Sequence, residues 1–313
     1  MRKPIMLALA VSAVFNSVAF AATSPSALEA CLATQAPTDP QDEVQLFRQL
    51  QIKGPQMMSG VQRIYYGKNL DQYGDLRLPA GKGPFPVVII VHGGLWMSSV
   101  NSDYMAPIAQ MLTEAGYATW NIEYSRIGSG GEWPGSFNSV GAAADYVKVL
   151  AEKYPLKIDE VLAVGHSSGG HYALWLAGRH KIKPGAMLYS EHPLPLKGVI
   201  SLDGTPDIEA FAGLPRGKVI IPKLLGNGTN TEMSERYSQA SPAQLLPLGV
   251  QQFFITEQSD RWPSMSAYIT KGQGMGDKIG YQMLCPANHF TTTDSGNSQV
   301  RQLILDTAKS MVK

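Results

Sequence analysis

Residues 160–172 read EVLAVGHSSGGHY, an apolar run that passes directly into a segment rich in glycine and serine. A continuous apolar run is typical of a strand covered on both faces, and a helical pattern follows from about residue 171. The motif GHSSG (165–169) therefore lies at a tight strand-to-helix turn and fits the pattern G-x-S-x-G. Because such a turn strains its middle residue and needs small flanking residues, we expect Ser167 to be a nucleophile. Ser168, with His166 two residues before it, is the weaker candidate.

A nucleophilic serine needs a base to remove its proton and a carboxylate to hold the base in the correct tautomer. Of the six histidines, His289 follows the last predicted strand, on the side where the carboxyl ends of the strands open. We predict that His289 is the base. Asp260, in the loop after the preceding strand, is the expected carboxylate. Asp203 and Glu257 also follow strand ends and remain alternatives.

The segment HGGLW (92–96) ends another continuously apolar strand. Glycines there would let the backbone approach a substrate carbonyl closely. We therefore predict that the backbone amides of Gly94, Leu95 and Ser168 form an oxyanion hole, which stabilises the charge that develops when the serine attacks.

Strands and helices alternate along most of the chain, which favours an α/β fold with a mostly parallel sheet and helices on both faces. The predicted strands are 61–67, 75–79, 86–92, 117–124, 160–165, 198–203, 250–256 and 280–284. The predicted helices are 105–115, 140–153, 171–180, 265–271 and 297–311. Residues 204–249 interrupt the alternation and are predicted to form a small cap or long connection with short helices at 207–212 and 232–237.

The chain begins with two basic residues, an apolar run and the small-x-small pattern Ala19-Phe20-Ala21, which together are typical of a cleaved export signal over residues 1–21. An uncleaved membrane anchor is the alternative, although polar residues interrupt a run that is already short for a bilayer. We expect a periplasmic or secreted protein without a stable membrane anchor. Residues 22–60 are predicted to be an extension with one helix near 42–50, and residues 61–313 to be the catalytic domain.

Charge and cysteine content limit which partners, disulfides and metal sites are expected. With 26 Lys and Arg against 25 Asp and Glu, the chain has no basic surplus to attract nucleic acid or anionic lipid. Cys31 and Cys285 are the only cysteines, and the sequence leaves open whether they form a disulfide or stay as two thiols. No cluster has the ligand spacing of a zinc or iron–sulfur site, so no metal is expected. The oligomeric state is not determined by the sequence.

The motifs together resemble those of an α/β-hydrolase of the esterase/lipase group. They are HGGLW, WNIEYSR (120–126), GHSSGGH (165–171), SQASP (238–242), the loop of Asp260 and NHF (288–290). The chain is similar to the branch with an HGGxW loop, which includes arylformamidase-like and hormone-sensitive-lipase-like enzymes. The resemblance covers about residues 60–311; it implies an eight-stranded, mostly parallel sheet, a Ser-Asp-His triad and no cofactor. Leu95 stands where hormone-sensitive-lipase-like members usually carry a third glycine, and His166 where they often carry aspartate.

Four aromatic residues follow predicted strand ends and are candidates for substrate contact: Trp96, Trp133, Trp262 and Phe290. Aromatic surface near the serine favours an apolar acyl or aryl group, and the short cap favours a small or medium ester. The alternatives are an arylformamidase-like amide hydrolase, an exopeptidase, and an inactive hydrolase fold that serves for binding.

Overall fold

The computed structural model describes residues 29, 30, 33 and 39–312. Within them, eight strands form one sheet in the order β1-β2-β4-β3-β5-β6-β7-β8. The strands are β1 (Gln62–Tyr65), β2 (Tyr73–Arg77), β3 (Phe85–Val91), β4 (Ala118–Ile122), β5 (Leu156–His166), β6 (Gly198–Leu202), β7 (Gln251–Thr256) and β8 (Ile279–Met283). Strand β2 is antiparallel to its two neighbours, and all other pairs are parallel. The α/β fold with a mostly parallel eight-stranded sheet is thus confirmed.

The helices in the described residues extend beyond those that the sequence predicts. From residue 39 onward the α-helices are α1 (Pro40–Gln56), α2 (Ala106–Glu114), α3 (Gly135–Asp145), α4 (Val147–Ala151), α5 (Ser168–Gly178), α6 (Ile208–Ala212), α7 (Pro215–Leu225), α8 (Asn230–Ala240), α9 (Pro242–Leu245), α10 (Trp262–Gly274) and α11 (Ser298–Met311). Helix α5 begins at Ser168, three residues before the predicted start, because the chain turns into the helix directly after Ser167. The sequence does not predict helix α7, which contains Gly217 and Pro222, residue types that usually interrupt helices.

Apolar residues cover both faces of the sheet, as the continuous runs predict. In β3, Val87, Ile89 and Val91 belong to one buried cluster and Val88 and Ile90 to the other. Helices α1, α2 and α11 supply residues to the second cluster, while α3 to α10 pack on the first. Because successive strand residues point to opposite faces, a strand covered on both sides has to be apolar throughout.

Helix α1, within the predicted N-terminal extension, packs against the rest of the fold. Its first turn is capped by the Asp39 carboxylate, which accepts a hydrogen bond from the Gln41 N–H at 2.8 Å. Leu50 is 1% exposed, and the ring of Phe47 stacks on that of Phe290 with centroids 4.5 Å apart. Helix α1 therefore packs against the loop that carries His289.

Two predictions concern residues near the start of the chain that the structure does not describe. The predicted signal (residues 1–21) and Cys31 lie outside the described residues. Cys285 is engaged in a disulfide bond. None of the helices in the described residues is both long enough and apolar enough to cross a membrane.

Topology places the candidate site. Strands β3, β5, β6, β7 and β8 are mutually parallel, so their carboxyl ends share one edge of the sheet. Strand β4 lies on one side of β3 and strand β5 on the other, so the connections that leave β3 and β4 run to opposite sides. This change of direction leaves a crevice at the carboxyl edge of β3 and β5. Ligands of open α/β sheets bind at such a switch point.

Candidate active site

Ser167 occupies the strained turn that its sequence predicts. It has φ 57° and ψ −122°, backbone angles that non-glycine residues rarely adopt. A β-carbon at Gly169 would lie 2.1 Å from the carbonyl oxygen of Val91, and one at Gly165 would lie 2.1 Å from the carbonyl oxygen of Gly169. Strand and helix are thus close enough to exclude any side chain at both glycines, and the turn holds the serine at the carboxyl edge of β5.

The loop after β3 lies against this turn. A β-carbon at Gly93 would be 2.8 Å from the Cβ of Ser167, and Gly94 has φ 117°, a region that favours glycine. Among the hydrogen bonds of residues 39–312, none is donated by the backbone N–H of Gly94, Leu95 or Ser168. Three unpaired donors beside one serine are the arrangement that an oxyanion hole requires, which supports the predicted role of these amides.

Trp96, predicted to contact substrate, is instead part of the core. Its side chain is 1% exposed, and its indole N–H donates to Nδ1 of His171 at 3.2 Å. Its backbone N–H donates to the hydroxyl of Ser168 at 3.3 Å. The prediction was wrong because the backbone turns back after Leu95 and points the indole inward, where it helps to anchor the loop.

A buried ion-pair network holds the same loop from its other side. Nε2 of His92 lies 2.8 Å from a carboxylate oxygen of Glu123, whose other oxygen accepts the backbone N–H of Ser102 at 3.0 Å. Arg126 pairs with Glu123 at 3.2 Å. Sequence reasoning assigned no role to Glu123, although it stands within the WNIEYSR segment.

The carboxylate partner of His289 is Asp203. Nδ1 of His289 lies 2.5 Å from Oδ2 of Asp203, and the Thr256 hydroxyl donates to Oδ1 of Asp203 at 2.7 Å. With Nδ1 turned to Asp203, Nε2 is the nitrogen that remains for Ser167. Asp203 has φ 46°, a second strained non-glycine position at this edge.

The prediction of Asp260 as the carboxylate was therefore wrong in this structure. His166 pairs with Leu202 in register, so Ser167 and Asp203 are the first residues beyond two adjacent strands. Asp260 is exposed and lies four residues beyond the end of β7. Asp203, which the sequence left as an alternative, projects directly from a strand end and contacts His289.

Arg261, next to Asp260 in the chain, turns inward and pairs with the same carboxylate. Its Nη2 also lies 3.0 Å from Nδ1 of His289 and 3.5 Å from the carboxylate of Glu257. Burial alone would raise the pKa of Asp203, but the guanidinium charge and the hydrogen bonds from His289 and Thr256 outweigh it and hold that pKa well below its usual range. Sequence reasoning missed Arg261, whose only signal was its place in the Asp260 loop.

Glu257 responds to the same surroundings in the opposite direction. Burial, followed by the negative charge of Asp203, raises the pKa of Glu257 to about 8. Asp203, Glu257 and His289 also bring three potential metal-ligand atoms within 4.8 Å of one another. The guanidinium of Arg261 supplies the positive charge among them, so these contacts fit an ion-pair cluster.

The other three aromatic candidates differ in position. Phe290 is half-buried with its ring centroid 5.3 Å from that of His289. Trp133 packs edge-on against Phe137 and lines a cleft of about 880 Å³ whose lining residues include neither Ser167 nor His289. Trp262 contacts the ring of Tyr281 on β8. Phe290 follows His289 in the chain and packs against its ring, and substrate contact by Phe290, Trp133 and Trp262 stays a prediction.

The BD-FAE family model matches residues 75–261, more than half of the chain. The chain belongs to the BD-FAE family. This is a family of α/β-hydrolase esterases, so the protein is an esterase-type hydrolase. The match includes Ser167 and Asp203 and ends at Arg261, before the loop of His289. A comparison with curated proteins found no match.

Solved structures support the same fold. A truncated carbohydrate esterase from gut microbiota superposes with a TM-score of 0.67 at 19% identity, over 80% of this chain and 95% of its own. Esterase 2 of Thermogutta terrifontis with bound propionate gives 0.64 at 15% identity, over 81% and 93%. Esterase B of Lactobacillus rhamnosis gives 0.68 at 17% identity, over 90% and 96%. At these identities the likeness concerns the fold alone.

Proposed function

We propose that this BD-FAE member hydrolyses carboxylic esters of small or medium acyl groups through a triad of Ser167, His289 and Asp203. One observation carries the proposal. The 2.5 Å contact between Asp203 and Nδ1 of His289 lies at the same sheet edge as the strained turn of Ser167. This replaces the sequence-based triad, in which Asp260 was the acid.

The reaction follows from the order of these groups. Nε2 of His289 takes the proton of Ser167 as its oxygen attacks the ester carbonyl, and Asp203 stabilises the imidazolium that forms. His289 then returns the proton to the leaving alcohol, which leaves an acyl-enzyme. Water, activated by the same nitrogen, attacks the acyl group and releases the acid and the free serine.

The oxyanion of each tetrahedral intermediate would be bound by the unpaired amides of Gly94, Leu95 and Ser168. Fixed donors of this kind are each worth about 3–4 kcal/mol of transition-state stabilisation. The loop that carries two of them is anchored by Trp96 and by the His92–Glu123 pair, so the donors need little reorganisation during the reaction.

Two half-buried apolar side chains, Leu95 and Phe290, are next in the chain to the proposed donor Gly94 and to His289, which favours a small apolar acyl group. Two solved structures with this fold bear on the substrate through their names: one is called a carbohydrate esterase and another holds propionate. We propose short-chain acyl esters, including acylated sugars, as the first class to test. Export to the periplasm or beyond, proposed from residues 1–21, would place the enzyme among such external substrates.

The test combines active-site labelling with a matched substrate panel. The chain from residue 22 onward is treated with a fluorophosphonate probe and assayed with p-nitrophenyl acetate, butyrate and octanoate, an acetylated sugar, a formanilide and an aminoacyl anilide. We expect labelling at Ser167, and values of kcat/KM that are highest for the short esters.

Two serine variants give the control. Ser167→Ala should abolish both labelling and hydrolysis, whereas Ser168→Ala keeps its backbone amide and should retain measurable hydrolysis. Labelling that survives in Ser167→Ala would disprove the nucleophile. Preference for the formanilide or the anilide would favour the amide hydrolase or the exopeptidase, and a chain that is neither labelled nor active would favour the binding protein.

A further inference from the structure

A continuous series of buried hydrogen bonds joins residues 92–96, the proposed oxyanion loop, to the loop of His289. The backbone N–H of Gly93 donates to the hydroxyl of Tyr104 at 2.6 Å, and that hydroxyl lies 2.8 Å from Nδ1 of His166. Nε2 of His166 lies 3.1 Å from the carbonyl oxygen of His289. Tyr104 and His166 are each 1% exposed.

Only one set of donors and acceptors satisfies all of these contacts. The carbonyl of His289 can only accept, so Nε2 of His166 carries a hydrogen. Nδ1 of a neutral imidazole is then an acceptor, and the hydroxyl of Tyr104 must donate to it while accepting from Gly93. Burial, together with the nearby His289, holds the pKa of His166 well below its ordinary value, which keeps the ring neutral.

The His289 loop needs such an attachment. Its residues from 284 to 290 belong to neither strand nor helix. The Thr292 hydroxyl also bonds to the carbonyl of His289, at 3.0 Å, but it belongs to the same loop. On the side of the nucleophile turn, the His166 bond is the polar contact that fixes the backbone of His289, and the two imidazole rings lie with centroids 4.4 Å apart.

We infer that His166 is a positioning residue, which with Tyr104 fixes the main chain of His289 relative to Ser167 and the oxyanion loop. This inference rests on the proposed triad. His166 is not one of the groups that transfer a proton in the proposed reaction; its Nε2 bonds to the carbonyl of His289 and its ring packs against the His289 imidazole. Because it is the residue directly before Ser167, the nucleophile and the backbone of its base are held by one rigid turn.

Two substitutions of His166 separate the two contacts of its ring. A glutamine amide nitrogen reaches about as far as Nε2, so His166→Gln can keep the bond to the carbonyl of His289. An asparagine side chain ends near the position of Nδ1, so His166→Asn can keep the acceptor for Tyr104 and loses the bond to His289. A misplacement of about 1 Å in a catalytic group can cost about 100-fold in rate.

We therefore expect His166→Asn to lower kcat for a short p-nitrophenyl ester about 10- to 100-fold with little change in KM, and to slow fluorophosphonate labelling of Ser167 by a similar factor. His166→Gln should restore most of both rates. Tyr104→Phe, which removes only the hydroxyl, should lower kcat less, and its effect should not add to that of His166→Asn because both act through one series of bonds.

Thermal unfolding of each variant accompanies the kinetics. Equal kcat in His166→Asn and His166→Gln would overturn the inference, as would additive effects of Tyr104→Phe and His166→Asn. If His166→Asn fails to fold, the comparison of single and double variants uses Tyr104→Phe and His166→Gln instead. The inference is then overturned if Tyr104→Phe leaves both kcat and the labelling rate unchanged. Failure of the triad itself would show differently, as loss of Ser167 labelling in the unsubstituted protein.

Discussion

Hydrogen bonds between buried neutral groups join the turn of Ser167 to the proposed oxyanion loop. The His92–Glu123–Arg126 network holds that loop from its other side, whereas His289 itself faces a cluster of charges. Between the turn and the loop, the Tyr104 hydroxyl bonds to Gly93 and His166, and the Trp96 N–H donates to the Ser168 hydroxyl. Beside His289, Asp203 and Arg261 form an ion pair against the imidazole.

The surroundings of Ser167 and of His289 also differ in what positions them. Ser167 and the oxyanion loop follow directly from β5 and β3, and neighbouring backbone carbonyls leave no space for a side chain at Gly165 or Gly169. Arg261 and His289 are carried by longer loops after β7 and β8. Charge pairs can hold groups on such loops because they act over a longer range than hydrogen bonds, but their strength depends on protonation and on what else shares the carboxylate.

The largest effect is expected from removing the Asp203 carboxylate, on which the charged surroundings of His289 depend. Asp203→Asn should lower kcat by about 10³- to 10⁴-fold, since the amide cannot stabilise the imidazolium and favours the wrong tautomer of His289. Asp260→Asn, a matched change in the next loop, should lower kcat by no more than about threefold because the side chain is exposed. Steady-state kinetics on a short p-nitrophenyl ester decides between them. The reverse ranking would restore Asp260 as the acid.

The oxyanion loop offers a second test with a smaller effect. An alanine at Gly94 would place its methyl carbon 2.5 Å from the Cβ of Val100 at φ +117°. The loop has to shift, which should misplace the neighbouring donors and lower kcat on the order of 100-fold.

Gly116→Ala is the matched control for this change. Gly116 has φ +100° and no atom within 4 Å of an added β-carbon, so it takes a similar backbone strain away from the site. We expect Gly116→Ala to lower the free energy of unfolding and to keep kcat. If the two variants lose the same share of kcat, the loss reflects backbone strain in general, and the role of the Gly94 loop is contradicted.

The sequence predicted the surroundings of Ser167 and the HGG loop better than the surroundings of His289. Glycines at fixed positions around Ser167, and the HGG that ends an apolar strand, are local signals that record how closely two backbones approach. The choice of acid is not local. Asp203, Glu257 and Asp260 all follow strand ends, and which one reaches His289 depends on the register of β6 against its neighbours and on the inward turn of Arg261.

The sequence does not show in which direction a side chain points, and the predictions for the aromatic residues depended on that direction. Strand ends placed Phe290 and Trp96 toward substrate by the same reasoning; for Phe290 this stays a prediction, whereas the backbone turn after Leu95 points Trp96 inward. The sequence offers no local signal for the role of His166, because its place in the nucleophile motif reveals only the turn. That role depends on Tyr104, which is 62 residues away in the chain and beside it in the fold.

The smallest expected effect concerns Glu257 and the pH dependence of stability. Arg261, Asp203, Asp260 and Glu43 of α1 all act on this carboxyl group, and burial raises its pKa to about 8. In the unfolded chain the pKa of a glutamate is about 4.3. Between these values the native state holds the extra proton, so this group makes the free energy of unfolding fall as pH rises from about 5 to about 8.

Glu257→Gln keeps a neutral side chain at every pH and should remove this decline. The free energy of unfolding of the variant, relative to the unsubstituted protein, should therefore rise by at least about 1 kcal/mol between pH 5 and pH 9, which corresponds to one pKa unit. Denaturant unfolding at pH 5, 7 and 9 measures it. Glu191→Gln, at a side chain that is 77% exposed, makes the same change in charge at a solvated site. If both variants follow the same pH dependence, burial of Glu257 is not its source, and the charged cluster beside His289 does not titrate as its geometry implies.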